Sequence, residues 1–504
     1  MLDIPLDFIQ SCSALRDLRL SNMAMKKVPH SIHHSRTLRQ LDLSSNRIAD
    51  LEEAVLDEIP GLSSLFVQNN RIEKLPWYFP RLYSLVTLNI SNNKFRTFPE
   101  VVCGLECLQD LDISFNMITE LPESIGKLTN LFRFVMVGNQ VKTLPRGCSG
   151  LVKLHTFDCR RNNLIELADV YMLPSLKKLS ADHNKLQALH MSAGKCLHTL
   201  DVSHNEITRI SLTQLPGAAM TLSALDLSHA QLGSLDDLVF SQLAGLRTLK
   251  LDYNKLQVLP QSLGELVLLE ELTCADNNLK TLPESVGQLQ KLVSLDAHAN
   301  SITDLPVTLW NCASLVSINL TSNLLTKFPL PPSSSSVTPP PAMRNGTSSI
   351  HTSSTRSNVE FSDRKMSVSS ASSISLPPLG WSLANLYLGE NQFTDQGILP
   401  IAIFRELCVL NLSFNELTEV SSSLCKNLQG LRKLFLSGNQ LTSLPEDIHT
   451  LPRLTLLFLN GNRLQTLPKE LGEIQSLTSL DVGSNLLKYN INNTEFDWNW
   501  YVRF

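Results

Sequence analysis

Leu108–Asn116 reads LQDLDISFN, and the same phrase returns at Leu85–Asn93, Leu246–Asn254, Leu431–Asn439 and Leu454–Asn462. Its form is L-x-x-L-x-L-x-x-N, and successive copies lie 21–25 residues apart, most often 23. A fixed period in this range marks a chain built of stacked repeats. The central x-L-x-L-x alternates, so it reads as a short strand whose leucines face one side. One unit cannot bury that side. A stack of units can, by lining up its strands in a parallel sheet over a continuous core. The asparagine falls where the strand turns away, and its amide is suited to satisfying backbone groups of the neighbouring coil.

Working outward from that phrase, fourteen copies run from the one ending at Met23 to the one ending at Asn323, with Met23 and Ala230 standing where asparagine is expected. Between them lie stretches such as Leu121–Leu128, LPESIGKL, and Leu282–Leu289, LPESVGQL. Proline followed by I/V and L at this spacing predicts a turn into a short helical or 3₁₀ segment. The repeats ending at Asn184 and Asn205 are short and the one ending at Ala230 is long, which predicts an irregular, bent region around 165–230. After Phe328 the pattern stops, and Pro329–Pro378 is rich in Ser and Pro (PPSSSSVTPPP, SVSSASSISLPP). Such a segment has little to bury and is expected to be disordered. The phrase resumes at Leu383–Asn391, so this is an insertion into one repeat, and four further phrases end at Asn485. The fold class is therefore α/β: a curved leucine-rich repeat solenoid of about 19 repeats, with a parallel concave sheet and short helical or 3₁₀ convex segments. Its expected divisions are 1–328 for the first part, 329–380 for the disordered insertion, 381–489 for the continuation and 490–504 for an aromatic tail containing Asp497–Trp500, DWNW.

Composition narrows the function classes. Charged residues are 18% and the formal net charge is −4, so no strong field points to nucleic acid or an anionic membrane. The start, MLDIPLDFIQ, has no signal-like apolar stretch, and no run of 18 apolar residues exists. The ten cysteines are scattered and read as free thiols of a reducing, cytoplasmic compartment. Sequons at Asn89, Asn319 and Asn411 fall inside the strand phrase and read as chance. There is no phosphate-binding loop, nucleophile elbow, zinc-protease helix or kinase signature. Asp42, Asp112, Asp158, Asp201, Asp226, Asp296 and Asp481 share one slot between the inward leucines. Stacked, they could form an acidic ladder on the concave face, but fixed repeat spacing does not make a catalytic pair. His183, His204, His229 and His298 occupy the two slots before the turn and read as ordinary solvated histidines rather than metal ligands. No catalytic, cofactor-binding or metal residue is assigned.

What remains is the outward strand face, a broad rigid platform suited to a protein partner. Phe66, Phe115 and Phe132 are outward aromatics; Arg133, Arg160, Arg161, Lys177 and Lys178 form a basic cluster beside them; Lys250 and Tyr253 lie further along. Aromatic residues beside arginines are the composition of binding hot spots and suit an acidic partner loop. In the insertion, Arg364-Lys365-Met366-Ser367 sets a basic pair and a spacer before Ser367, a candidate site for a basophilic kinase.

Beyond the repeat consensus, the wording of Leu2–Pro29 (LDIPLDFIQSCSALRDLRLSNMAMKKVP), of Leu41–Pro76 and of Asn492–Trp500 (NNTEFDWNW) closely resembles the leucine-rich repeat region of fungal adenylate cyclases. The likeness includes non-consensus residues such as the SNMAMKK stretch. In that family the repeats bind GTP-loaded Ras and precede a phosphatase-like domain and a cyclase domain, whose metal-binding aspartates and Mg²⁺ lie outside any stretch present in this chain. The resemblance thus implies a non-catalytic Ras-binding segment, cytoplasmic or peripheral at the plasma membrane through its partner. Past DWNW the family continues into further repeats, whereas this sequence turns into YVRF, so the expectation is a truncated product or an incomplete gene model.

Overall fold

The structure is a computed structural model that describes residues 4–167, 170–192, 196–213, 221–332 and 376–488. Among the described residues, nineteen three-residue strands, from Asp17–Arg19 to Ser479–Asp481, form one parallel sheet. Each strand pairs with that of the next repeat in unbroken register, so that Leu88, Leu111, Phe134, Phe157 and Leu179 lie side by side. These central residues point into the solenoid and are at most 1% exposed. Full burial of each contributes roughly 1.5–3 kcal/mol. Phe134 and Phe157 replace leucine in adjacent repeats and stack inside at 5.2 Å.

In many repeats the return half opens on proline, whose ring presets φ and whose missing N–H costs nothing at a helix start, while others open on a capping side chain such as Asp236 or Ser421. Pro122 and Pro283 precede the 3₁₀ segments Glu123–Lys127 and Glu284–Gln288, as the L-P-x-x-I/V-x-x-L spacing predicts. The short repeat ending at Asn205 and the long one ending at Ala230 depart furthest from this pattern. They lack the proline and alternate instead, so Ala188–Ser192 and Arg209–Thr213 pair as a second, two-stranded parallel sheet. The irregularity anticipated around 165–230 therefore takes the form of a strand pair on the return side.

The turn asparagines join the repeats. The Asn116 amide nitrogen donates to Ile113 and Ser114 carbonyls of its own turn (2.9 and 3.2 Å) and to Ile90 of the preceding repeat (3.2 Å). Its oxygen accepts from the N–H of Phe95, at 3.1 Å. The same clamp recurs from Asn46 to Asn485. It crosses the Ser/Pro-rich insertion unchanged: Asn391 donates to Leu320 (2.9 Å) and accepts from Leu325 (3.0 Å), while Ser317–Asn319 pairs directly with Asn385–Tyr387. Where the insertion leaves the stack, Trp310 is fully buried. It stacks on Phe404 at 5.1 Å, meets Phe328 edge-on at 5.7 Å and donates to the Pro329 carbonyl. Residues 333–375, with Ser367, and the DWNW stretch lie outside the described residues.

Ala230 breaks the clamp. Ile207, whose N–H would meet the missing amide oxygen, donates no hydrogen bond among the described residues. Ala230→Asn is expected to raise stability to urea by about 1 kcal/mol, and Asn139→Ala to lower it by about 2–3 kcal/mol, because buried carbonyls are then left unpaired. A destabilised Ala230→Asn would show that the repeat cannot admit the clamp. Replacing 333–375 with a short Gly-Ser linker is expected to change stability by less than about 2 kcal/mol, since each halving of a loop changes its closure entropy by only about 0.6 kcal/mol. A loss of cooperative unfolding would show that the insertion supports the stack.

Candidate functional site

The slot occupied by Asp112 follows the strand's inward leucine, and its carboxylate accepts from the N–H of Ser114, two residues on, at 2.9 Å. Asp42, Asp201, Asp226, Asp296 and Asp481 make the same local bond, and Asn89, Asn319 and Asn411 make it with their amide oxygens. This explains both the aspartate file and the sequons within the strand phrase. The residue type is selected because Asp and Asn cap their own turn. The acidic ladder expected on the concave face is thus first a row of turn caps, each carboxylate holding its own backbone.

The residue three positions after the aspartate slot must turn the chain out of the sheet, and it does so in the left-handed region. The slot just before the turn asparagine has φ between +49° and +58° at Asn22, Ser45, Asn69, Asn92, Phe115, Arg161, His183, His204, His229 and Tyr253. A non-glycine residue there costs about 1 kcal/mol or more, least for Asn. Asn, Ser and Gly fill the slot in many repeats, whereas Phe115, Arg161, three histidines and Tyr253 fill it along the middle of the solenoid. Their side chains are directed onto the surface beside the strands.

Most of the predicted surface residues fall together. Asp110, Arg133, Thr156 and Lys178 occupy one row across four adjacent strands. Phe132 stacks on His155 at 4.2 Å, and Phe115 extends over Gly138 of the next repeat. Arg161, Lys177 and Lys178 are exposed and form no ion pair among the described residues. Arg133 and Arg160, by contrast, are already engaged. Arg133 pairs with Asp110 at 2.9 Å. Arg160 grips Asp158 through Nε at 3.0 Å and Nη2 at 2.9 Å, which holds its guanidinium above the usual arginine range. The cluster is therefore less positive than its sequence suggests. Phe66 is half-buried and lies two strands upstream of Asp110–Asp112. Lys250 and Tyr253 lie three strands beyond Lys178 and are not part of the cluster.

The histidines are not independently solvated. His183, His204, His229 and Tyr253 stack in one column with centroids 4.1, 4.0 and 4.1 Å apart. Four consecutive repeats carrying a ring in the same slot was the available signal, and single-residue reading missed it. Burial, and then the neighbouring His229 and His183, hold His204 below the ordinary imidazole value of 6.5. The unfolded chain then takes up that proton first, so this residue favours the fold above about pH 6.5 and disfavours it as pH falls. Among the described residues no group of three or more His, Cys, Asp or Glu could hold a metal ion. All ten cysteines are unpaired.

A Leucine rich repeat family model matches residues 60–118, 221–279 and 405–464, and a second matches 34–51 and 195–209. The fold is a leucine-rich repeat solenoid. Along 99% of its length it is 44% identical to an adenylate cyclase of Mycosarcoma maydis, and along 88% it is 30% identical to one of Schizosaccharomyces pombe. It spans 20% and 25% of the length of those two relatives. The repeats are thus similar to a region of these cyclases, as the wording of Leu2–Pro29 and Leu41–Pro76 implies. Among solved structures it resembles YopM of Yersinia enterocolitica, at a TM-score of 0.63 and 24% identity over 95% of this chain and 90% of that one, a likeness of fold alone. No helix among the described residues is long and apolar enough to cross a membrane.

Gly138 links site and scaffold. Its φ is +67° and an added Cβ would lie 2.8 Å from the Phe115 ring. Gly138→Ala is expected to cost about 1–2 kcal/mol in urea unfolding. In a Phe115→Ala background the loss should shrink, because the steric part is removed. An equal loss in both backgrounds would show that the ring does not occupy this place.

Proposed function

We propose that this chain is a non-catalytic interaction segment that binds a small GTPase of the Ras type in its GTP-bound form. In a longer polypeptide of the relatives' kind, it would couple that binding to cAMP synthesis. The observation that carries the reading is the likeness to adenylate cyclases along 99% of the chain, joined to a surface cluster of aromatic and basic side chains. Phe115, Phe132, Arg133, Arg160, Arg161, Lys177 and Lys178 spread over four neighbouring strands, a width of roughly 15 Å at the usual strand spacing. Phe115 and Phe132 supply the desolvated contact area of a hot spot.

The unpaired cations Arg161, Lys177 and Lys178 offer the first attraction to an acidic partner loop, and they govern the rate of encounter more than final affinity. Arg133 and Arg160 are held in fixed geometry by Asp110 and Asp158. Such a fork retains free N–H groups for a partner carboxylate, so pairing orients the guanidinium without exhausting it. Cyclisation of ATP, with its Mg²⁺, is assigned to no residue here. The protein is read as cytoplasmic, reaching a membrane only through its partner.

The purified 504-residue chain is expected to retain Ras-GTP in a pull-down in preference to Ras-GDP and to form no cAMP from ATP. Arg133→Glu/Arg160→Glu/Arg161→Glu is expected to weaken binding at least about tenfold, equivalent to about 1.4 kcal/mol. Unchanged binding by a folded triple variant would place the contact elsewhere. Equal retention of the two nucleotide states would favour a scaffold without a GTPase partner.

A further inference from the structure

The ring column formed by His183, His204, His229 and Tyr253 begins in the repeat of Lys177 and Lys178, where the basic cluster ends, and is not needed by the function proposed above. Its planes are within 19°, 14° and 8° of one another in successive pairs, so each inner ring has both faces covered. What it offers a partner is therefore its edges. The His183 Nδ1 is satisfied by Asp182 at 2.9 Å, and the negative charge of Asp276 lies near the Tyr253 hydroxyl. The ring nitrogens of His204 and His229 have no hydrogen-bond partner among the described residues, although His204 is exposed and His229 half-exposed.

The charged groups around the column are mostly acidic. Asp182, Asp201, Asp226, Asp252 and Asp276 accompany it on successive repeats, against Arg161, Lys177 and Lys178 at its upstream end and Lys250 on the strand beside Tyr253. Asp201 and Asp226 use one oxygen in capping their turns and keep the other free for a further partner. Asp252 is engaged by Thr273 and Ala275. A neutral imidazole offers one acceptor nitrogen, a protonated one offers none, and a guanidinium is a donor with no acceptor. Tyr253 is disfavoured in this left-handed slot relative to the Asn found in other repeats, whereas histidine enters it more readily than most residues.

We propose that the His183–Tyr253 column is a docking rail for an extended, arginine-rich segment of a protein partner, engaged while the imidazoles are neutral and released when they are protonated. Guanidinium forks bridge the edges of neighbouring rings about one strand spacing apart, and the adjoining carboxylates supply the counter-charge. Protonation removes the acceptors and adds positive charge at the same place, so binding weakens as pH falls. An acidic segment meets the opposite pattern at neutral pH.

The test uses the full chain and two fluorescein-labelled peptides, an alternating Arg-Gly dodecapeptide and its Glu-Gly counterpart, followed by anisotropy at constant ionic strength. At pH 7.5 the Arg-Gly peptide is expected to bind at least tenfold more tightly than Glu-Gly, and to lose at least tenfold by pH 5.5. His204→Asn/His229→Asn keeps every carboxylate, leaves the charge at pH 7.5 unchanged and places a residue suited to the left-handed slot. It should hold or raise the melting temperature, weaken Arg-Gly binding at pH 7.5 at least fivefold and flatten the pH dependence. Arg133→Glu, on the separate basic cluster, should leave Arg-Gly binding unchanged, which keeps this result distinct from the GTPase reading. Equal binding of the two peptides, or undiminished Arg-Gly binding by the folded double variant, would overturn the proposal. Self-association of the chain that the double variant abolishes would also overturn it, because the rail would then seat a second copy.

Discussion

The structure depends on one buried amide per repeat. A leucine layer removes strand ends and coil backbone from water together, and each N–H and C=O left there must find a partner. The turn asparagine meets that demand with a single side chain, donating to its own turn and to the preceding repeat while accepting from the latter. Because those bonds always reach one repeat back, stacking and turn formation are the same event. The core cannot close without registering each repeat on its neighbour. Ala230 shows the tolerance of the scheme: one missing clamp is carried by intact neighbours, as expected where stability is a sum of nearest-neighbour terms.

Two local requirements follow and shape the surface. The chain must leave the strand through a capped turn and then through a left-handed residue before it reaches the asparagine. The first places Asp or Asn at the strand end, and the second leaves a slot whose side chain is directed outward. Neither slot contributes to the core, so both are free to vary in chemistry without disturbing the stack. The aromatic and basic cluster around Asn116–Asn184 and the ring column beside it both draw on this freedom. The same one-dimensional logic explains the Ser/Pro-rich insertion. Ser317–Asn319 and Asn385–Tyr387 pair as if contiguous, and the buried Trp310–Phe328–Phe404 cluster seals the departure point.

Recurrence was easy to read correctly where it served the core and easy to misread elsewhere. The strand, the proline-led 3₁₀ segment and the interrupted repeat were all legible, because each rests on local periodicity and a fixed phrase. The aspartate file was legible as a repeat feature but not as a set of turn caps, since an i to i+2 side-chain bond leaves no mark beyond the residue type. Arg133 and Arg160 looked like free cations until the register brought Asp110 beside the first and the turn folded Asp158 against the second. The irregular repeat lengths announced a departure, but the second sheet arose only because Ala188–Ser192 and Arg209–Thr213, of a short and a long repeat, were set side by side.

By itself the sequence determined a leucine-rich repeat solenoid, the place of its insertion and a likeness to adenylate cyclases, because leucine spacing, turn asparagines and the wording between them are properties of the linear chain. The tertiary structure decided which outward residues act as one surface. Residues 21–25 positions apart become neighbours at strand spacing only when the repeats stack, so ion pairing within the basic cluster and stacking of His183, His204, His229 and Tyr253 are consequences of register. Register is a relation between repeats, and no single repeat contains it.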